Sequence, residues 1–286
     1  MGLAEMTRPL TDAGRVGLTA LLAVPRDAVI ALDFDGTLAP LVPDPSRARA
    51  HPGAVPALRA LAPHIGTVAV VTGRPAGLAV EYGGLAGLDG VVVLGHYGAE
   101  RWEGGRLTAP PPHPGVAAVR ERLPRVLAEL GVPEGTWVED KGRSVAVHTR
   151  RAVGPVAAFE LLRGPLEGLA AEHGLVVEPG RLVLELRPPG VDKGAALTGL
   201  LRERGARSVL YAGDDLGDVP AFAAVEKLRG EGLAGLLVCS GAAGDVPDEP
   251  VRELADRADL VVPGPAGVVE LLGALGEELS RPAAGR

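Results

Sequence analysis

The pattern of hydrophobic and polar residues divides both ends of the chain into short apolar runs and stretches of helical periodicity. The continuous apolar runs predict strands buried on both faces of a sheet, at 28–32, 68–71, 91–94, 208–212 and 235–239. Apolar residues at helical spacing predict helices at 11–22, 53–61, 193–204 and 266–279. Because strands and helices alternate, the predicted fold class is α/β, with a doubly wound, Rossmann-like parallel sheet.

The middle of the chain breaks this alternation after the proline cluster at Pro110 to Pro114. It predicts a helix at 116–130, two short strands around Lys141 and Gly142, a helix at 156–173, and two strands around Pro179 and Gly180. This order describes a small antiparallel α+β unit. We therefore predict an inserted domain at 110–187 within a larger domain made of 1–109 and 188–286.

Composition and charge narrow the classes of partner. Only 3% of residues are aromatic, and 29 Lys and Arg stand against 36 Asp and Glu, a formal charge of -7, so neither base stacking nor phosphate-backbone binding is favoured. No segment approaches the roughly 20 apolar residues that span a membrane. The single Cys239 fits a reducing compartment. We expect a cytoplasmic monomer that binds a small molecule, not nucleic acid or a membrane.

Two carboxylates follow the first predicted strand directly. Asp33 and Asp35 lie two residues apart on a loop that continues through Gly36. The first carboxylate is suited to attack phosphorus, and the second to act as general acid and base. Because carboxylates are weak nucleophiles and these ligands offer only oxygen, the motif indicates a Mg²⁺ cofactor. Asp-x-Asp-Gly is also an ordinary turn after a strand, so the motif alone leaves both interpretations open.

Further polar groups follow other predicted strands. Thr72, Gly73 and Arg74 end the second strand with hydroxyl and backbone donors that suit phosphate oxygens, and Lys193 opens a predicted helix. A second acidic loop ends the strand at 208–212, and its candidate metal ligands are Asp214, Asp215 and Asp218. Parallel strands present their carboxyl ends at one edge of a sheet, so we expect these groups to converge on one site.

The ordered set of carboxylate pair, hydroxyl, lysine and acidic pair resembles the haloacid dehalogenase superfamily of phosphotransferases. The resemblance implies that Asp33 is the nucleophile, Asp35 the general acid and base, Thr72 and Lys193 phosphate ligands, and Asp214 the principal carboxylate of a Mg²⁺ site. It also implies that the main-chain carbonyl of Asp35 binds the metal. The inserted unit lies where that superfamily places a larger, substrate-selecting cap of the C2 type.

More specific motifs resemble the trehalose-6-phosphate phosphatase family. They occupy 95–100, 139–141, 147–150, 185–188 and 191–194. The resemblance implies a sugar-phosphate substrate, trehalose 6-phosphate, with its distal sugar bound by the polar side chains of Glu139, Lys141 and Glu185. His148 and Arg150 alternate with Thr149 along one predicted strand, so both are candidates to face the cleft, although taken singly each is more typical of a solvated charge on the surface of the inserted unit. His96 and Glu100 are candidates either to bind substrate or to fix their loop.

One motif departs from the family pattern. Gly-Asp-Asp-Leu-Gly-Asp-Val-Pro stands at 213–220 where Gly-Asp-Asp-x-Thr-Asp-Glu-Asp is usual. Because Asp214, Asp215 and Asp218 remain, we expect metal binding to persist. The alternatives are a phosphatase for sucrose phosphate or mannosylglycerate phosphate, a sugar phosphomutase, and a sensor that binds a sugar phosphate without reaction.

Overall fold

The computed structural model of the chain describes residues 9–180, 182–241 and 249–281. Its helices are α1 (Asp12–Ala23), α2 (Ala54–Leu61), α3 (Ala76–Gly83), α4 (Pro114–Leu130), α5 (Pro155–Glu172), α6 (Lys193–Arg204), α7 (Val219–Gly230), α8 (Glu249–Arg257) and α9 (Gly264–Ser280). Its strands are β1 (Ala28–Leu32), β2 (Thr67–Val71), β3 (Val91–Gly95), β4 (Glu100–Glu103), β5 (Arg106–Thr108), β6 (Trp137–Asp140), β7 (Val145–His148), β8 (Val176–Gly180), β9 (Val183–Arg187), β10 (Ser208–Gly213), β11 (Ala234–Gly241) and β12 (Leu260–Pro263).

Contacts divide the chain into two compact units. The core unit comprises Met1–Ala109 and Asp192–Arg286, and the inserted unit comprises Pro110–Val191. The inserted unit thus runs four residues past the boundary that we predicted after residue 187. No helix in the described part of the chain is long and apolar enough to cross a membrane.

The core unit is built on one sheet of eight strands in the order β12-β11-β10-β1-β2-β3-β4-β5. The strands from β12 to β3 are parallel, and the prediction of an α/β doubly wound sheet is confirmed. β4 and β5 extend the sheet in antiparallel fashion, which the sequence did not predict. β4 has the sequence Glu-Arg-Trp-Glu, so it lacks the apolar run that identified the inner strands.

Helices cover both faces of this sheet. In β1, Ile30 and Leu32 point into the core formed with α1, α2, α3 and α9, whereas Val29 and Ala31 point into the core formed with α6, α7 and α8. Successive side chains of a strand point to opposite faces, so a strand between two helical layers must be apolar throughout. This explains why the site-bearing strands are uninterrupted apolar runs.

The inserted unit has a four-stranded antiparallel sheet in the order β6-β7-β9-β8. α4 and α5 pack on one face of it through a cluster that includes Val145, Val147, Leu184 and Leu186. The turn predicted at Pro179 and Gly180 was misplaced, because both residues belong to β8.

Candidate active site

Three of the predicted site residues follow neighbouring parallel strands directly. Asp33 comes one residue after β1, Thr72 one residue after β2, and Asp214 one residue after β10. β1 lies between β2 and β10 in the sheet, so the three strand ends are adjacent. The backbone N–H of Asp33 donates to the carbonyl oxygen of Ala212 at 2.9 Å, which fixes the first loop against the end of β10.

Lys193 joins the two acidic loops of the core unit. It is the first residue of α6, whose N-cap is Asp192, and its Nζ lies 2.6 Å from Asp33 Oδ1 and 2.7 Å from Asp218 Oδ1. Burial alone would lower the pKa of Lys193, but the carboxylates of Asp218 and Asp33 hold that pKa well above its ordinary value. Lys193 is therefore a fixed positive charge beside the candidate nucleophile.

The carboxylate of Asp218 is an anchor with several donors. Its Oδ1 accepts from Lys193 Nζ and from the hydroxyl of Tyr211 at 2.6 Å, and its Oδ2 accepts from the backbone N–H groups of Asp214 at 3.0 Å and Asp215 at 3.3 Å. Four donors match the number of lone-pair sites on a carboxylate. Asp218 thus orders the second acidic loop and Lys193 together, whereas Asp215 is exposed.

Asp33, Asp214 and Asp218 form a cluster with the chemistry of a metal site. Ligand atoms from the three buried carboxylates all lie within 4.8 Å of one another. Burial, together with the nearby carboxylates and despite Lys193, raises the pKa of Asp33 to about 8. Burial and the charges of Asp33 and Asp218 likewise raise the pKa of Asp214 well above its ordinary value. A divalent cation would relieve this repulsion, so the donor set fits one.

Gly36 lets the first loop approach the second closely. Its φ is +79°, and a Cβ placed there would lie 1.9 Å from Asp214 Oδ2. Two further hydroxyl groups hold the same region, since Ser240 Oγ donates to the carbonyl of Gly36 at 2.7 Å and Thr37 Oγ1 lies 3.5 Å from Asp214 Oδ1. The residue at position 36 is therefore restricted by contact as well as by conformation.

Arg74, predicted to bind phosphate, is paired with the candidate acid–base residue. Its Nε donates to Asp35 Oδ2 at 2.6 Å and its Nη2 to Asp35 Oδ1 at 2.7 Å. The hydroxyl of Thr72 accepts from the backbone N–H of Arg74 at 3.2 Å. Gly73 lies under the ring of Tyr97, whose hydroxyl would be 2.6 Å from a Cβ at that position. The loop after β2 is thus tied to the first loop by Arg74.

His96 and Glu100 lie against this loop in the core unit. The backbone N–H of His96 donates to the carbonyl of Arg74, and that of Tyr97 donates to the carbonyl of Thr72, both at 2.9 Å. Glu100 Oε2 accepts from the backbone N–H of Ala76 at the start of α3 at 2.9 Å. His96 and Tyr97 have φ angles of 46° and 57°, values that are uncommon for residues with side chains. These contacts support the scaffolding alternative for His96 and Glu100.

Candidate sugar-binding residues lie on the sheet of the inserted unit and, for Lys141, just after the end of β6. Lys141 Nζ donates to Glu185 Oε2 at 2.8 Å, and Ser144 Oγ donates to Glu185 Oε1 at 2.6 Å. Burial would raise the pKa of Glu185, but the charge and hydrogen bond of Lys141 and the hydrogen bond of Ser144 hold that pKa below its ordinary value. His148 Nε2 lies 2.8 Å from Glu139 Oε2. The prediction that Arg150 continues the strand was wrong, because β7 ends at His148 and Arg150 lies in an exposed turn.

Tyr211 is the main site residue that sequence reasoning missed. It lies fully buried in β10, where its ring packs edge-on against Phe222 and its hydroxyl donates to Asp218. The signal was present as an aromatic residue in a buried strand of small and aliphatic residues, three residues before Asp214. A buried phenol needs a hydrogen-bond partner, and the nearest acidic motif supplies it.

Comparisons with known proteins agree on one family. The family model described as Trehalose-phosphatase matches residues 31–253. The chain is 35% identical to the trehalose-phosphate phosphatase of Mycobacterium marinum, a similarity that covers 97% of this chain and 68% of that protein. It is 36% identical to the trehalose-phosphate phosphatase of Mycobacterium tuberculosis strain H37Rv over 70% of this chain and 51% of that protein.

Solved structures show the same fold at lower identity. The C-terminal domain of Candida albicans trehalose-6-phosphate phosphatase matches with a TM-score of 0.71 and 20% identity, covering 95% of this chain and 98% of that one. Aspergillus fumigatus trehalose-6-phosphate phosphatase matches with a TM-score of 0.66 and 22% identity, covering 95% of this chain and 99% of that one.

Proposed function

The chain belongs to the trehalose-phosphatase family, and on that basis we propose that it hydrolyses trehalose 6-phosphate to trehalose and inorganic phosphate through a covalent intermediate on Asp33. The family resemblance inferred from the motifs is confirmed, as is the enzyme class, a phosphoric monoester hydrolase. The observation that carries the mechanism is the environment of Asp33, a buried carboxylate 2.6 Å from the Lys193 ammonium.

In the proposed first step, a carboxylate oxygen of Asp33 attacks phosphorus. The bond from phosphorus to the C6 oxygen of the sugar breaks, and Asp35 gives its proton to that oxygen. Water then attacks the aspartyl-phosphate, the bond from phosphorus to Asp33 breaks, and Asp35 takes the proton from the water. One carboxyl group serves as acid and then as base, as the two half-reactions require.

Lys193, Thr72 and the backbone of Gly73 are the proposed phosphate ligands. The ammonium of Lys193 is held between Asp33 and Asp218, so its charge is already in position when substrate arrives. Groups that need no reorganisation during the reaction stabilise developing charge most effectively.

The proposed cofactor is Mg²⁺, held by the carboxylates of Asp33 and Asp214 and by the main-chain carbonyl of Asp35. Asp218 and Asp215 would support it from the second acidic loop. When bound, the cation supplies positive charge that neutralises the phosphate dianion. Support comes from the all-oxygen donor set and from the raised pKa values of Asp33 and Asp214, which burial raises most and neighbouring carboxylates raise further.

We further propose that the inserted unit selects the sugar. Lys141, Glu185, Glu139 and His148 offer both donors and acceptors on one sheet, which suits a disaccharide with many hydroxyl groups. Lys141 and Glu185 are held by each other, so little side-chain freedom remains to be lost when a sugar binds.

The test is phosphate release from trehalose 6-phosphate, glucose 6-phosphate, sucrose 6-phosphate and mannosylglycerate phosphate, each with Mg²⁺ and with EDTA. We expect a strong preference for trehalose 6-phosphate that EDTA abolishes. Asp33→Asn should eliminate turnover, while Asp89→Asn, a change at an exposed aspartate before β3, should not. Equal rates on all four substrates would contradict the proposed specificity, and turnover by the Asp33 variant would contradict the covalent mechanism.

A further inference from the structure

The side chain of Arg74 meets Asp35 through two parallel hydrogen bonds. The Nε to Oδ2 and Nη2 to Oδ1 distances are 2.6 and 2.7 Å, the fork-on-fork arrangement that fixes both the position and the plane of a carboxylate. The Nε–Nη2 edge of the guanidinium, which would otherwise suit a phosphate, faces Asp35 instead. The Arg74 side chain is 14% exposed and that of Asp35 34%, so the pair is shielded more on the arginine side.

Aromatic rings hold the guanidinium of Arg74 in that position. Its Cζ lies 5.5 Å from the centre of the Tyr82 ring on α3 and 5.6 Å from that of Phe34. Arg49 lies over the same tyrosine, with its Cζ 4.1 Å from the ring centre. Cation–π contacts of this length stabilise a guanidinium without consuming its hydrogen-bond donors. Tyr82 therefore supports the guanidinium while Nε and Nη2 of Arg74 donate to Asp35.

We infer that Arg74 is a positioning residue for the acid–base carboxylate, with Tyr82 as its support, rather than a ligand of the transferring phosphate. This inference rests on the proposed function, in which Asp35 protonates the leaving oxygen and later deprotonates water. A carboxylate has about four lone-pair sites, and the two that Arg74 occupies leave others for proton exchange. Arg74 thus fixes the direction in which Asp35 gives and takes its proton.

Two substrates with different leaving groups can distinguish a role of Arg74 in positioning Asp35 from a role in binding phosphate. The p-nitrophenolate of p-nitrophenyl phosphate needs no proton, whereas the C6 alkoxide of a sugar does. Transfer of phosphate from p-nitrophenyl phosphate to Asp33 should therefore be indifferent to Arg74. Transfer from trehalose 6-phosphate, and hydrolysis of the intermediate by water, should both depend on it.

The experiment is rapid-mixing kinetics of the full chain with Mg²⁺, comparing wild type with Arg74→Gln. We expect single-turnover release of trehalose to slow by about 100-fold, the lower range for general acid–base catalysis, while the burst of p-nitrophenol stays within about three-fold. The steady state after the burst should slow because hydrolysis of the intermediate needs Asp35. Arg74→Lys should recover only part of the rate, since lysine lacks the planar fork.

Tyr82 tests the support separately. Tyr82→Leu should also slow release of trehalose selectively, but only by about three-fold, the expected effect of losing a partly exposed cation–π contact. Tyr82→Phe keeps an aromatic ring and should behave as wild type. The matched control is Arg257→Gln, because Arg257 meets Glu226 in the same two-contact geometry, with distances of 3.0 and 2.7 Å between α8 and α7. Its kinetics should not change.

Two results overturn the inference. If Arg74→Gln slowed the reactions of both substrates equally and weakened inhibition by inorganic phosphate, Arg74 would be a phosphate ligand. If the variant left both rates unchanged, Arg74 would have no role in catalysis. Urea unfolding of each variant verifies that the fold is intact. Failure of the proposed function is seen in the wild type, as an absence of trehalose release, whereas failure of this inference is seen in the ratio of variant to wild type.

Discussion

The buried pair of Lys141 and Glu185 makes a quantitative prediction about the inserted unit. The side chain of Glu185 is 7% exposed and that of Lys141 18%, and their charged atoms lie 2.8 Å apart. Lys141→Met would remove the Lys141 ammonium from the buried Glu185 carboxylate. The hydrogen bond from Ser144 would remain. Removal of one partner from a buried ion pair costs about 3–5 kcal/mol because the other charge is left uncompensated. We expect a loss of about 3 kcal/mol at pH 7, since Arg187 also lowers the pKa of Glu185.

The loss should depend on pH in a defined direction. In the wild type the pKa of Glu185 lies below its ordinary value of 4.5, so this group stabilises the fold above that pH, and the stabilisation is lost as the pH falls. Without Lys141, burial dominates and the pKa of Glu185 rises above 4.5, so protonation at low pH removes the buried charge. The difference between wild type and Lys141→Met should therefore shrink to about 1 kcal/mol or less at pH 4.

Tryptophan fluorescence allows the inserted unit to be followed by itself. The chain has two tryptophans, Trp102 in the core unit and Trp137 in the inserted unit, so a Trp102→Phe background leaves Trp137 as the reporter. Urea unfolding at pH 7 and pH 4 then gives the free energies to compare. Arg125→Met, which removes an exposed pair with Glu129, is the control and should change stability little. An equal loss at both pH values would refute the reasoning.

The core unit gives two further predictions. Tyr211→Phe should lower the free energy of unfolding by about 1–2 kcal/mol, measured by urea unfolding, because the buried Asp218 loses a hydroxyl donor. Asp214→Asn should raise stability in EDTA, because it removes a carboxyl group whose ionisation burial and the neighbouring carboxylates oppose. At saturating Mg²⁺ the variant should be less stable than the wild type, which gains about 2.7 kcal/mol at one hundred times its Kd. Thermal unfolding with and without Mg²⁺ tests the reversal, and a variant that gains as much from Mg²⁺ as the wild type would contradict the assigned ligand.

The sequence predicted best those elements whose boundaries carry a local signal. The strand at 28–32 is an apolar run ended by Asp33, and the structure has Ala28–Leu32. The helix at 193–204 begins after the N-cap Asp192 and ends at Gly205, which has a φ of 59°. Both boundaries match because the capping and burial that set them are short-range.

Elements without such signals were missed. α3 has the sequence Ala-Gly-Leu-Ala-Val-Glu-Tyr-Gly, in which two glycines weaken the helical pattern, although Glu100 stabilises its first turn from a distant strand. β4 and β5 are polar because they lie at an edge of the sheet, where one face need not be buried. Their pairing depends on β3, so tertiary contacts and not local propensity decide them.

The partner of Arg74 shows where sequence reasoning on the site reached its limit. A parallel sheet predicts that the loops after β1, β2 and β10 lie at one edge, and in the structure these strand ends are adjacent. It does not predict whether an arginine in one loop faces a phosphate or a carboxylate of the next. Arg74 and Asp35 are 39 residues apart, and they meet where the rings of Tyr82 and Phe34 lie beside the guanidinium.

The charges of the described site do not by themselves attract an anionic substrate to a protein of net charge -7. Its cations, Lys193 and Arg74, are both paired with carboxylates, so neither is an unopposed attraction for phosphate. Five carboxylates stand against these two cations at the site, so without a metal the fully ionised site has a net negative charge. The five are Asp33, Asp35, Asp214, Asp215 and Asp218. Because a divalent cation would offset most of that negative charge, affinity for substrate should depend on the metal, in addition to the chemical step.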